Sequence, residues 1–161
     1  IEQQYMTAPF VGDILRDHLR NPDGPEVVVL MTRESRGLAE RLVMGSNRDR
    51  LIRRIKKQDH HRRLRVCYPV IRDSNGGSQV MVHSKLMIID DWFLRVGSAN
   101  LNNRSMGLDS ECDLAIEADD PHARRSIEHL RWRLVGEHLG ASPEDVEAHA
   151  KETGSIIAAI D

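Results

Sequence analysis

The chain contains, at residues 83–100, the stretch HSKLMIIDDWFLRVGSAN. Its two apolar runs are separated by a pair of aspartates, a pattern typical of two β-strands joined by a tight turn. We predict one strand over residues 80–89 and its returning partner over residues 93–96. Gly97 then allows another part of the chain to approach the backbone closely where the second strand ends. The stretch therefore predicts a β-hairpin.

Segments on both sides of this hairpin alternate between strand and helix patterns. Further strands are predicted over residues 1–7, 26–32, 64–70 and 112–118. Helices are predicted from residue 9 to the turn at residues 21–25, over residues 38–57 with a kink at residues 45–47, over residues 121–139, and from residue 143 onward. A polar loop is predicted at residues 73–77. This order predicts an α/β fold in which a mixed β-sheet is sandwiched between helices.

The first helix has apolar residues at spacings of three and four, which predicts that one face of it packs inward. These residues are Phe10, Val11, Ile14, Leu15 and Leu19. Residues 26–32 contain the continuous apolar run Val27–Met31, which is typical of a strand covered on both faces.

Composition excludes several classes of protein. The chain has 161 residues, of which 40% are hydrophobic and 30% charged, so it has enough apolar surface for a packed domain and is not a disordered tail. We expect one domain over residues 1–161, with helices at residues 121–161. No apolar run is long enough to span a membrane, and the opening residues do not resemble a secretory signal. Two cysteines form no disulfide framework, which favours reduced thiols on the cytoplasmic side.

Basic residues cluster between residues 48 and 65, although the net charge is only −2. The cluster consists of Arg48, Arg50, Arg53, Arg54, Lys56, Lys57, Arg62, Arg63 and Arg65. A solvated helix face explains such a run, and attraction to anionic lipid headgroups or to nucleic acid is the functional alternative. Aromatic residues are only 4% of the chain and none lies inside the cluster, so recognition of stacked bases is the less favoured alternative.

The hairpin predicts a shared site. Alternate residues of a strand face the same way, so His83 and Lys85 should point together, and Ser98 and Asn100 should do the same. Asp90 has the opposite parity and lies at the turn, where we expect its carboxylate to brace the turn or a neighbouring backbone amide. The two strands would thus deliver an imidazole, an ammonium, a hydroxyl and an amide to one place.

These groups suit phosphoryl transfer. Lys85 and Asn100 can hold the oxygens of a phosphate and stabilise the charge of its transition state, and the hydroxyl of Ser98 either does the same or braces the loop. A neutral His83 can attack phosphorus to form a covalent phosphohistidine. A carboxylate on the other ring nitrogen would set the tautomer of His83, and Glu111 is our candidate for that role.

The pattern His-x-Lys-x4-Asp-x6-Gly-Ser-x-Asn over residues 83–100 resembles the HKD motif of the phospholipase D superfamily, complete at every position. Residues 101–111 resemble the stretch that follows the second motif in two-motif phospholipases D and cardiolipin synthases. The opening Ile-Glu-Gln-Gln-Tyr resembles the start of their C-terminal half, as in bacterial two-motif enzymes. Within that opening, Gln4 and Tyr5 either line the mouth of the site or pack at a sheet edge.

The resemblance implies a metal-independent phosphodiesterase that uses no cofactor and acts on glycerophospholipids by hydrolysis or headgroup exchange. In that family two motifs meet; one histidine is the nucleophile, and the other protonates the leaving alcohol and later activates water or an acceptor. This chain carries one motif, so we expect either a homodimer or the C-terminal half of a two-motif enzyme that needs its other half. The absence of an initiator Met favours the second.

Two rival interpretations remain open. One is a homodimeric, single-motif nuclease that cleaves DNA or RNA. The other is a catalytically silent half that only binds phosphate. The expected location is the cytoplasmic side, peripheral to an anionic membrane or tethered to it through the parent protein.

Overall fold

The computed structural model describes residues 1–33, 45–71 and 77–161. In this part of the chain the strands are β1 (Glu2–Gln3), β2 (Val27–Met31), β3 (Leu64–Cys67), β4 (Val70–Ile71), β5 (Ser78–Gln79), β6 (Lys85–Ile89), β7 (Phe93–Gly97) and β8 (Asp113–Glu117). The helices are α1 (Pro9–Arg20), α2 (Ser46–Lys56), α3 (Pro121–Leu139), α4 (Pro143–Thr153) and α5 (Ile156–Ile160).

Six of these strands form one mixed sheet in the order β3-β2-β1-β6-β7-β8, and β4 and β5 form a separate antiparallel pair. Strand β2 pairs in parallel with both β1 and β3, whereas β6 and β7 pair as an antiparallel hairpin. The predicted α/β fold, a mixed sheet flanked by helices, is confirmed.

Contacts divide the chain into two compact units. The first comprises residues Ile1–Lys85 and Gly97–Cys112. Its strand β2 is buried along most of its length, as the continuous apolar run predicts for a strand between two others.

Helix α1 in this unit does not bury the face that its apolar spacing predicts. Val11 and Leu19 are buried, but Phe10 is 46% exposed and Ile14 is 54% exposed. Gly12 is buried instead. Leu51 of α2 approaches it so closely that a β-carbon at this position would lie 2.3 Å from the leucine side chain. The missing side chain thus lets α1 pack closely on α2, and this contact turns Phe10 and Ile14 outward.

The second unit comprises Leu86–Val96 and Asp113–Asp161, namely most of the hairpin, β8 and the C-terminal helices. Helix α3 begins and ends at the residues that the sequence predicts, with Asp120 as its N-cap and Gly140 in the left-handed conformation after its end. Ser142 caps α4, and Trp132 packs with Val146 and Ala150 in a small core. The last short helix, α5, was not predicted.

Several predicted boundaries differ from the structure. Strand β1 is confined to Glu2–Gln3, and β6 begins at Lys85 rather than at residue 80. The predicted helical residues 38–44 and loop residues 73–76 lie outside the described residues. Of the helices described, none has the length and hydropathy needed to cross a membrane.

Candidate active site

Lys85, the first residue of β6, is the centre of the candidate site. Its side chain is only 6% exposed. The Nζ atom donates to the carbonyl oxygen of His83 at 2.7 Å and to Oε1 of Gln4 at 3.1 Å, and it lies 3.3 Å from Nδ1 of His83. An ammonium has three protons, and each has an acceptor here. Burial of the charge is therefore compensated by hydrogen bonds within the protein.

Two opposing effects act on the pKa of Lys85. Burial lowers this pKa from its usual value of 10.5, because removal from water disfavours the charged form. The carboxylate of Glu111 opposes the change by attracting the ammonium. The site thus contains an amine that gives up its proton more easily than a surface lysine.

His83 lies just before β6, outside the regular strand, and its side chain is exposed. The prediction that it shares a strand with Lys85 is therefore wrong in detail, although the two side chains do meet. The preceding backbone is held by Thr32, whose hydroxyl donates to Val82 O and accepts from Val82 N.

The contact between Lys85 and His83 determines the tautomer of the imidazole. Since an ammonium only donates, its contact with Nδ1 requires that this nitrogen be unprotonated. The neutral ring then carries its proton on Nε2.

Asn100 is fixed by its side-chain carbonyl. Its Oδ1 atom accepts a hydrogen bond of 3.3 Å from the backbone amide of Tyr5. The next residue, Leu101, is buried and forms a parallel bridge with Met6, and its amide donates to Oε1 of the buried Gln3. The segment that follows β1 therefore holds the loop after β7. Within the described residues Nδ2 of Asn100 donates to no other group, so the amide end is the one available for a ligand.

Ser98 and Glu111 bind each other. The hydroxyl of Ser98 donates to the carboxylate of Glu111 and accepts from the amide of Cys112. Among the described residues no hydrogen bond joins Glu111 to His83, so the structure brings this carboxylate to Ser98 instead of to the imidazole. The reason is local: residues 98 and 112 also pair through their backbone, which aligns the two segments side by side. Glu111 reaches Lys85 only through its charge.

Asp90 occupies the turn between β6 and β7, as predicted. Its φ angle is +49°, in the left-handed region that aspartate tolerates better than most residues. The turn is closed by a hydrogen bond from Trp92 N to Ile89 O. The carboxylate of Asp90 is exposed and bonds to no other described group. Its effect on the turn in this structure comes from its backbone conformation.

The sequence did not decide whether Gln4 lines the mouth of the site or packs at a sheet edge. The fold brings the side-chain carbonyl of Gln4 to Lys85, which is 81 positions away in the sequence. The Nε2 atom of Gln4 donates to the hydroxyl of Tyr5 at 3.1 Å. The signal in the sequence was the repeated glutamine at the start of the chain, but it did not indicate that Lys85 is the partner of Gln4. In the described part of the chain, no three His, Cys, Asp or Glu side chains are grouped so that they could hold a metal ion.

The family model described as Phospholipase D matches residues 44–154, which is more than half of the chain. The chain belongs to the phospholipase D family. This match includes all six predicted site residues, from His83 to Glu111, whereas Gln4 precedes it.

Individual relatives agree with the phospholipase D assignment. The chain is 39% identical over 85 residues to phospholipase D alpha 1 of Spuriopimpinella brachycarpa and 43% identical over 72 residues to that of Nicotiana tabacum. These alignments include 45% and 40% of this chain, but only 10% and 9% of the relatives. The chain thus spans about a tenth of the curated phospholipases D that it matches.

A solved structure confirms the fold of this family member. NucT from Helicobacter pylori superimposes with a TM-score of 0.52 over 83% of this chain and 76% of that chain, at 16% sequence identity. At this identity the similarity concerns the fold alone.

Proposed function

We propose that this chain is half of a phospholipase D-type phosphodiesterase, with His83 as the residue that bonds to phosphorus. The observation that carries the proposal is the contact between the exposed imidazole of His83 and the buried ammonium of Lys85. A histidine with a fixed cation at its ring is suited to a substrate that brings a negatively charged phosphate to that ring.

The reaction proceeds in two steps. A phosphate oxygen replaces Nδ1 of His83 as an acceptor of Lys85, and the amide of Asn100 donates to a second oxygen. A nitrogen of the neutral imidazole attacks phosphorus, the bond to the leaving alcohol breaks, and that oxygen takes a proton from the acid of a second half. Water then gives a proton to the conjugate base of that second-half acid and attacks phosphorus, the P–N bond breaks, and His83 is regenerated. An acceptor alcohol in place of water gives headgroup exchange.

A glycerophospholipid is the substrate we propose. The sequence relatives are named phospholipase D, and the loop after Asn100 presents apolar side chains to solvent, with Leu108 79% exposed. The same loop is closed by hydrogen bonds from residues 107–109 to Arg104 O, so it presents Leu108 in a defined position. The outward face of α2 carries exposed basic residues that would attract an anionic membrane surface. These features favour cleavage of phospholipids at a membrane surface.

The second half must supply the acid that protonates the leaving group. This chain contains one HKD-like stretch, so we propose that a second copy or another segment of the parent protein supplies the other histidine. Light scattering on the purified chain distinguishes a monomer from a dimer.

The test is an assay on vesicles of phosphatidylcholine with and without anionic lipid, using both the chain alone and the complete reading frame. We expect release of choline together with phosphatidic acid, and loss of this release in His83→Ala. His129→Ala changes another exposed histidine and is the control. Cleavage of DNA or RNA with no release of choline would support the nuclease instead, and phosphate binding without any turnover would support a silent half.

A further inference from the structure

Lys85 has three hydrogen-bond partners among the described residues, and two of them are groups outside the proposed reaction. One is the backbone carbonyl of His83, and the other is Oε1 of Gln4, the residue that follows strand β1. Only the third and longest contact, at 3.3 Å, is made to the imidazole. Two fixed acceptors leave an ammonium one free direction, because its three protons are arranged tetrahedrally. That direction points to His83.

The amide of Gln4 is itself held in one orientation. Its Nε2 atom donates to the Tyr5 hydroxyl at 3.1 Å, so Oε1 must be the end that faces Lys85. The backbone amide of Tyr5 in turn binds Oδ1 of Asn100. Adjacent residues of one segment therefore contact both groups that are suited to hold phosphate, from outside the HKD-like stretch.

We propose that Gln4 is a positioning residue that keeps the ammonium of Lys85 charged and directed at a bound phosphate. This inference rests on the proposed function for the identity of the anion. A buried lysine without such an acceptor becomes neutral more easily, and a neutral amine binds an anion poorly. The carbonyl dipole of Gln4 opposes that loss, and it does so without the charge that a carboxylate would set against the phosphate.

Among the described residues, two other groups act on the ammonium of Lys85: His83 contacts it and Glu111 attracts it through its charge. The neighbouring Ser84 donates to Glu2 of β1. A substitution at Gln4 removes none of these charged groups, so a change in the pKa of Lys85 can be assigned to loss of the amide, including its bond to the Tyr5 hydroxyl.

The experiment measures the pKa of Lys85 by NMR of its ¹³Cε atom, together with binding of inorganic phosphate as a function of pH. In Gln4→Met we expect the pKa to fall by about one unit and phosphate affinity to fall on the order of threefold to tenfold. In Gln4→Glu we expect the pKa to rise by about one unit, so that phosphate binding is lost at higher pH than in the parent. Gln79→Met and Gln79→Glu, at an exposed position of β5, are the matched controls and should change neither quantity.

Opposite movements in the two variants would support the proposal, because a merely structural role would weaken binding without moving its pH midpoint in both directions. An unchanged pKa of Lys85 in both variants would overturn it. If Gln4→Met does not fold, Gln4→Ala, which also removes the acceptor, is measured in its place. Neither readout requires turnover. If the complete reading frame hydrolyses no diester while the chain shows these shifts, the proposed function is refuted and this inference is supported.

Discussion

The Nζ atom of Lys85 lies 2.7 Å from the carbonyl oxygen of His83 and 3.3 Å from Nδ1 of the same residue. One residue thus offers the ammonium two acceptors, one in its backbone and one in its ring. We propose that the backbone bond holds Lys85 in place while a phosphate takes the position of Nδ1.

Replacement of Lys85 tests this arrangement. Lys85→Met should lower the rate of phosphodiester cleavage on the order of a hundredfold or more, because the transition state loses its fixed cation. Lys85→Arg should not restore it, since a planar guanidinium cannot reproduce the three bonds of a compact ammonium. Steady-state kinetics give the answer, with Lys151→Met, at an exposed position of α4, as the control. Full activity in Lys85→Met would exclude this cation from the mechanism.

Replacement of Asn100 separates its two ends. Asn100→Asp retains an oxygen for the amide of Tyr5, so the thermal midpoint should change little, but it places a negative charge where we propose that Nδ2 meets phosphate. We expect the rate to fall on the order of a hundredfold or more. Asn103→Asp, at an exposed position of the following loop, should leave the rate unchanged. Equal rates in both variants would contradict the role of Asn100.

The pH dependence of activity should respond to Glu111. Its carboxylate raises the pKa of Lys85, which burial lowers. In Glu111→Gln that opposing effect is lost, so the pKa of Lys85 falls and the ammonium loses its proton at lower pH. The alkaline limb of the pH–rate profile should therefore move to lower pH. Glu117→Gln, on exposed strand β8, is the control. An alkaline limb that moves to higher pH would contradict this account of the charges.

Helix α3 provides a prediction about stability. Hydrogen bonds from the amides of Ala123 and His122 lower the pKa of Asp120 from its usual value of 3.8. A lowered folded-state pKa means that this stabilisation is present above pH 3.8 and is lost as the pH falls through the folded-state value. Asp120→Ala should lower the melting temperature at pH 7, and Asp120→Asn should lower it less, because asparagine also caps helices.

Asp119→Ala is the control for this cap, since its exposed carboxylate precedes the capping residue. Thermal unfolding followed by circular dichroism measures all three variants. If Asp119→Ala and Asp120→Ala lower the melting temperature equally, the cap is not the cause.

Local chemistry explains which parts of the fold were predictable from the sequence. Helix α3 has the ends that were predicted, and the structure shows that an N-cap, a proline and a glycine after the last turn define them. The hairpin turn was predictable because two aspartates interrupt two apolar runs. Both signals lie within a few residues of the structure that they determine.

The remaining features depend on contacts between distant positions. Before β6 begins, the backbone of Val82 binds the hydroxyl of Thr32, 50 residues away. The inward face of α1 depends on the approach of Leu51 to Gly12. For the site, His83 and Lys85 meet as predicted, although His83 lies outside the strand on which that prediction was based. The acceptor from Gln4 was not predictable. No spacing in the sequence specifies which distant side chain faces a buried charge.

The most direct measurement is mass spectrometry of the chain during reaction with a p-nitrophenyl phosphodiester. Its leaving group departs without a proton donor, so the first step can be observed even without a second half. Samples quenched in base should contain a covalent phosphorus adduct on His83, and His83→Ala should form none while releasing no p-nitrophenolate. Release of p-nitrophenolate with no adduct on His83, or unchanged release by His83→Ala, would contradict the proposal that this imidazole and the adjacent ammonium break phosphodiester bonds.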